Sequence, residues 1–216
     1  MKADVELIFL PYAEETQSTM VDVLIRELKD AKWTSFTAAV AFARSSGNAT
    51  ELLDALATFA KRGGAIEMTF GGNTFADGEG SDYEAIEALL KELSGYPSVK
   101  LYLYNEPTRT FHPKLYLFAN ASEAALIIGS SNWTQGGLQR NVEVNVVLRL
   151  DLNDAEQKAT YDRTVEFYQT YWRELSNGRL TQDRRFKGEY STLGRYPSLC
   201  RTSRPIPIRC GRSSRY

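Results

Sequence analysis

The chain is short of the residues that most often announce a chemistry. Of its 216 residues, one is histidine and two are cysteine. Cys200 and Cys210 lie close together near the end, with no second pair and no neighbouring histidine, which excludes a zinc site of ordinary ligand spacing and a disulfide framework. No apolar run approaches the length of a membrane-spanning helix, and the amino-terminal MKADVELIFLPYAEETQ turns acidic after a short apolar stretch, without a small-residue cleavage site. These absences lead to the expectation of a soluble, cytoplasmic protein with no membrane partner. Neither sign of charge prevails, since the formal net charge is −1, so overall balance neither points to nucleic acid nor excludes it.

What charge there is lies unevenly. From Gly178 to Tyr216 the chain carries Arg179, Arg184, Arg185, Lys187, Arg195, Arg201, Arg204, Arg209, Arg212 and Arg215 against Asp183 and Glu189, which leaves the preceding part acidic. That segment has almost nothing to bury and reads as a poorly ordered basic tail. The expected division is therefore one globular domain over residues 1–177 and a tail or linker over 178–216. The tail has three readings: an electrostatic arm for nucleic acid, a linker toward a helicase or DNA-targeting domain, or the end of a truncated reading frame.

Hydrophobic periodicity organises the rest. VELIF alternates as a strand does, and STMVDVLIRELKDAK places Met20, Val23, Leu24 and Leu28 at helical spacing behind a serine cap. SFTAAVAFA reads as a buried strand, and NATELLDALATFAKRGG as a helix with an asparagine cap and glycines at its end. AIEMTF, SDYEAIEALLKELSG and VKLYLY extend the alternation, which predicts an α/β fold with a mixed, largely parallel sheet flanked by helices on both faces. Three strands in close succession follow, KLYLF, AALIIGS and VEVNVVL, and then a long amphipathic helix from about Asn153 to Ser176. The loop GGNTFADGEG has neither GxGxxG spacing nor a GK[ST] ending, so it reads as an ordinary loop rather than a phosphate cradle.

The sole histidine stands in FHPKLYLF. Alternation places His112 and Lys114 on one face of the strand with Tyr116 and Phe118, and Leu115 and Leu117 on the other, so an imidazole and an ammonium share one pocket. The next strand delivers Gly129, Ser130 and Asn132 at its carboxyl end: a glycine that lets backbone approach a ligand, then a hydroxyl and an amide as donors. NVEVNVVL then sets Glu143 in an apolar stretch, where a carboxylate is costly unless paired. His112 is its natural partner, with Arg140 and Lys114 as the others. An imidazole nucleophile, an orienting carboxylate and a set of donors for phosphate oxygens make up a phosphodiester site. Arg109 and Arg140 flank these strands and are candidate contacts to backbone phosphates. Trp133, Gln135, Gly136 and Gly137 could border a substrate groove, but an indole in an ordinary core is as common, so Trp133 is left out of the site.

HxK followed by GSxN resembles the phospholipase D superfamily, and FHPKLYLF with GSSNWTQGGLQRNVE looks most like its nuclease branch, which includes metal-independent restriction endonucleases and helicase-associated domains. The resemblance covers residues 111 to 148. The family's usual aspartate, five positions after the lysine, is Ala119 here, a departure common in the restriction-endonuclease branch. By this resemblance His112 attacks phosphorus, a second histidine protonates the leaving oxygen, and Lys114, Ser130, Asn132 and Glu143 complete the catalytic set. A chain with one histidine then needs a homodimer whose two copies share one site. No metal or other cofactor is implied, because Lys114 already supplies the cation and no carboxylate cluster is placed for magnesium. The implied substrate is DNA. Two rivals stand beside it: a DNA-backbone-binding module of a helicase or restriction system without useful turnover, and a hydrolase of phospholipids or other small phosphodiesters.

Overall fold

The computed structural model describes residues 4–10, 18–72, 80–104 and 110–173, together with the backbone of 179–180. Among the described residues eight strands form one sheet: β1 (Asp4–Leu10), β2 (Ser35–Val40), β3 (Ala65–Gly71), β4 (Val99–Tyr104), β5 (Lys114–Ala119), β6 (Glu123–Gly129), β7 (Glu143–Asp151) and the two-residue β8 (Arg179–Leu180). Four helices accompany them: α1 (Met20–Lys29), α2 (Thr50–Lys61), α3 (Tyr83–Leu93) and α4 (Ala155–Phe167). The tail from 181 onward, most of the glycine-rich loop and Arg109 lie outside the described residues.

The sheet order is β1-β7-β6-β5-β2-β3-β4-β8. Only β2/β3 and β3/β4 are parallel neighbours, and each of these pairs is joined by a helix, as a parallel crossover requires. The other five pairings are antiparallel, so the expected "largely parallel" sheet is corrected to a mixed sheet of mostly antiparallel neighbours. The reason is connection length and strand placement. β5 and β6 are joined by a tight turn in which Asn120 Oδ1 accepts from the backbone of Ser122 and Glu123, both at 2.8 Å. β1, followed by a helix in sequence, does not lie beside β2 but forms the far edge against β7.

Two cores cover the two faces. Met20, Leu24 and Leu28 of α1, Leu52, Leu56 and Phe59 of α2, and Ile86 and Leu89 of α3 pack on Phe36, Ile66, Met68, Phe70, Tyr116, Phe118 and Ile127. At roughly 1.5–3 kcal/mol for each large side chain fully withdrawn from water, this is the principal stabilising layer. On the other face Leu115, Leu117, Leu126 and Leu150 meet α4 through Tyr161 and Val165, with Tyr168 just beyond its end. The alternation read from KLYLF is thus realised, with Tyr116 and Phe118 in one core and Leu115 and Leu117 in the other.

Helix ends differ in detail from the sequence reading. The cap of α1 is Thr19, whose hydroxyl accepts from Asp22 N at 3.1 Å while Asp22 Oδ2 accepts from Thr19 N at 2.8 Å. Asn48 does not cap α2, because its amide donates to Ala85 O and its carbonyl accepts from the buried Trp133 indole, both at 2.8 Å. The last helix is shorter than expected as an α-helix and continues as a π-helical turn over Tyr168–Arg173. There the Thr69 and Tyr168 hydroxyls meet at 3.0 Å and pin the turn to β3.

Candidate active site

β2, β3, β4 and β6 end, and β5 and β7 begin, at the same edge of the sheet, and this edge gathers the residues singled out in the sequence. Register does the positioning: Lys114 lies opposite Val40, Gly129 opposite Asn145, and Glu143 opposite Leu10. His112 precedes β5 and is exposed at the sheet end, its ring edge-on to Phe42 at 5.9 Å between centroids.

Lys114 is buried, with 8% of its surface exposed. Its Nζ lies 2.9 Å from both His112 Nδ1 and His112 Nε2 and donates to the His112 carbonyl at 3.3 Å. Desolvation, and then the neighbouring ammonium, hold the His112 pKa below that of an ordinary imidazole. Burial likewise lowers the Lys114 pKa, and the negative charge of Glu143 opposes that shift. An imidazole and an ammonium thus meet at the sheet end, as the strand spacing anticipated.

Asn132 reaches the same place from the loop after β6. Its Oδ1 accepts from Phe42 N at 3.2 Å, which leaves the Nδ2 hydrogens as the end available to an anion. Trp133 N returns a bond to Phe42 O at 3.0 Å, so the loop is stitched to the end of β2, and the Trp133 ring is fully buried, which decides between its two readings for the core.

Three of the expected site residues have partners within the chain. Glu143 does not bond His112: its Oε1 accepts from Asn141 Nδ2 at 3.3 Å, and it reaches the site as a charge felt by Lys114. The physical reason is that both His112 ring nitrogens face Lys114. Ser130 is exposed, and its Oγ accepts from Val144 N at 3.1 Å, so the hydroxyl closes the end of the β6/β7 ladder. Gly129 makes room for the neighbouring strand, since a Cβ there would stand 2.2 Å from Asn145 Oδ1 and 2.3 Å from Val144 O. Arg140 is exposed, in a π-helical turn over Gly136–Arg140.

Two buried polar residues escaped the sequence reading. Ser131 and Asn145 are 0% and 1% exposed and bond each other directly behind Asn132. The signal was present in NVEVNVV, where Asn145 shares the parity of Glu143 and so faces the site side of the sheet.

The family model described as "Cardiolipin synthase, PLD-like domain" matches residues 24–168. Nuc, a phospholipase D family member from Salmonella typhimurium, superposes with a TM-score of 0.59 at 18% identity, over 84% of this chain and 100% of its own. NucT from Helicobacter pylori does so with a TM-score of 0.56 at 17% identity, over 82% and 99%. Phosphatidylserine synthase from Haemophilus influenzae Rd KW20 gives 0.58 at 13% identity, with 82% of this chain covering 40% of that one. No curated protein sequence matches the chain. Among the described residues, no helix is long and apolar enough to cross a membrane.

Proposed function

This chain belongs to the phospholipase D-like domain family, and we propose that it is a phosphodiesterase of the nuclease branch, cleaving the DNA backbone through a phosphohistidine at a site completed by a second copy. The observation that carries this reading is the convergence of a single histidine with Lys114, Asn132 and Glu143 at one end of the sheet. In extent the chain spans the whole of Nuc and NucT, but less than half of the phosphatidylserine synthase.

The chemistry follows from the groups present. A ring nitrogen of His112 attacks phosphorus, forming a P–N bond as the P–O bond to the leaving group breaks. Charge on the non-bridging oxygens is met by Lys114 Nζ, which turns from the ring to the phosphate, and by Asn132 Nδ2. The leaving oxygen takes a proton from the imidazolium of the second copy. Water then gives a proton back to that imidazole and attacks phosphorus, and the P–N bond breaks to return free His112 and a phosphomonoester. Glu143 favours the charged form of Lys114 throughout.

The family description and the shared fold of the phosphatidylserine synthase favour one other reading, a phospholipid diester as substrate. One experiment separates them: wild type and His112→Ala, each in EDTA, on plasmid, on an oligonucleotide and on a phospholipid. Plasmid cleavage by wild type and its loss in the variant are expected, with Asn132→Ala reduced about a hundred- to a thousandfold. Turnover of the lipid alone, cleavage only with magnesium, or DNA binding without cleavage each overturns the reading.

A further inference from the structure

Behind Asn132 lies a polar cluster that the chemistry above does not use. Ser131 is fully buried, and each of its polar atoms is held by a buried partner. Asn145 Nδ2 donates to Ser131 Oγ at 2.9 Å, Ser131 N donates to Asn145 Oδ1 at 3.4 Å, and Tyr116 OH donates to the Ser131 carbonyl at 2.9 Å. Tyr116 and Asn145 are each 1% exposed and come from β5 and β7, the strands on either side of β6. A buried cluster whose members bond one another favours one arrangement, because breaking it leaves a donor or acceptor unpaired at a cost of about 1–3 kcal/mol per group.

We propose that Asn145, with Tyr116, is the positioning element of the anion pocket: it holds Ser131 so that the next residue, Asn132, presents its amide to the substrate phosphate. The geometry is that of a ladder continued by a side chain. Main-chain pairing of β6 with β7 ends at Gly129 and the Ser130 N bond to Val144 O, 3.1 Å long. The Asn145 amide then reaches one residue further and takes both Ser131 N and Ser131 Oγ. Gly129 is what lets it pass, since a Cβ there would occupy the place of Asn145 Oδ1. With Ser131 fixed from behind and Asn132 Oδ1 fixed in front by Phe42 N, the Asn132 side chain has one direction left for its donors. Positioning of this kind bears on rate, because a displacement of about 1 Å at a reacting group can cost on the order of a hundredfold.

The proposal rests on the phosphodiesterase reading for its kinetic consequence, and two measurements keep the two apart. The first is backbone amide exchange in the full chain. In Asn145→Ala the amides of Ser131 and Phe42 are expected to exchange at least about tenfold faster while Met68 in β3 keeps its rate, and in Tyr116→Phe, which removes only a hydroxyl, the change is smaller in the same direction. Wild-type protection of Ser131 and Phe42 in Asn145→Ala overturns the proposal whatever the enzyme turns over. The second is steady-state cleavage of a chromogenic phosphodiester. Asn145→Ala should lower kcat by about ten- to a hundredfold with KM within about threefold, since an interaction that matters in the transition state is weakened while ground-state binding persists. A kcat within twofold of wild type alongside released amides overturns it as well. An inactive wild type refutes the phosphodiesterase reading and leaves the exchange result to decide whether Asn145 holds the loop.

Discussion

The Nζ of Lys114 stands 2.9 Å from each ring nitrogen of His112, with the lysine buried and the ring exposed. The arrangement makes the imidazole and the ammonium a coupled pair. Desolvation of the ring, and then the ammonium at that distance, penalise the imidazolium and hold the His112 pKa below the ordinary value.

A titration follows from that pair. The chain has one histidine, so its imidazole resonances are unambiguous by NMR. The midpoint should fall below about 6.5 in wild type and move upward in Lys114→Met, because removing a positive neighbour favours the protonated ring. The acid limb of kcat/KM should move with it. A midpoint that stays or falls in Lys114→Met would show that the ammonium does not govern the ring.

Sharing of the site has its own signature. If each site needs a histidine from both copies, mixing wild type with His112→Ala and allowing exchange should lower activity as the square of the wild-type fraction, because a mixed pair holds one histidine. Sites complete within one chain would give a linear decline. Sedimentation of wild type across the assay concentrations should show the dimer, and a fully active monomer would refute the sharing.

Much of this site was legible because strand parity is strict: two positions separate His112 from Lys114, and two separate Glu143 from Asn145, so each pair faces one side. What parity does not give is partners. Whether Glu143 meets His112 or Asn141 depends on the turn over Gly136–Arg140, which has no period to read. Gly129 suggested room for a ligand, but the room is taken by Asn145 from a strand sixteen positions on. The sheet failed for a related reason: β-then-α order predicts parallel neighbours only if consecutive strands are adjacent, and β1 is not adjacent to β2.

At the opposite end of the sheet, Glu27 of α1 is 3% exposed and accepts from Trp33 Nε1 at 2.9 Å and from Arg149 at 2.8 Å. Burial alone would raise its pKa; the bonds from Arg149 and Trp33 and the charges of Arg149 and Arg26 outweigh burial, and the net shift is downward. A carboxylate with a depressed folded pKa contributes stability that is fully present above its unfolded value, about 4.3, and is lost as pH falls through the folded pKa. Glu27→Gln should therefore cost about 1–3 kcal/mol at neutral pH and flatten the acid side of the stability curve, as read by denaturant unfolding between pH 3 and pH 7. Its turnover should match wild type, since the substitution lies far from His112. Equal stability of the two proteins at pH 7 would refute the role given to the pair.

Gly129→Ala tests how tightly the loop is built. The added methyl would stand 2.3 Å from Val144 O and 2.2 Å from Asn145 Oδ1, and the first of these is backbone of the paired strand, which cannot turn aside as a side-chain end can. Strand separation at the end of β6 must therefore increase, at about 1–3 kcal/mol for an overpacked contact. The Ser130 bonds to Val144 lie in the same place, so the shift is carried into the loop that holds Asn132. The expected result is a lower midpoint of unfolding together with a kcat loss that exceeds the unfolded fraction at the assay temperature. A variant that loses stability but keeps the wild-type kcat per folded molecule would mean that the loop after β6 absorbs the displacement before it reaches Asn132.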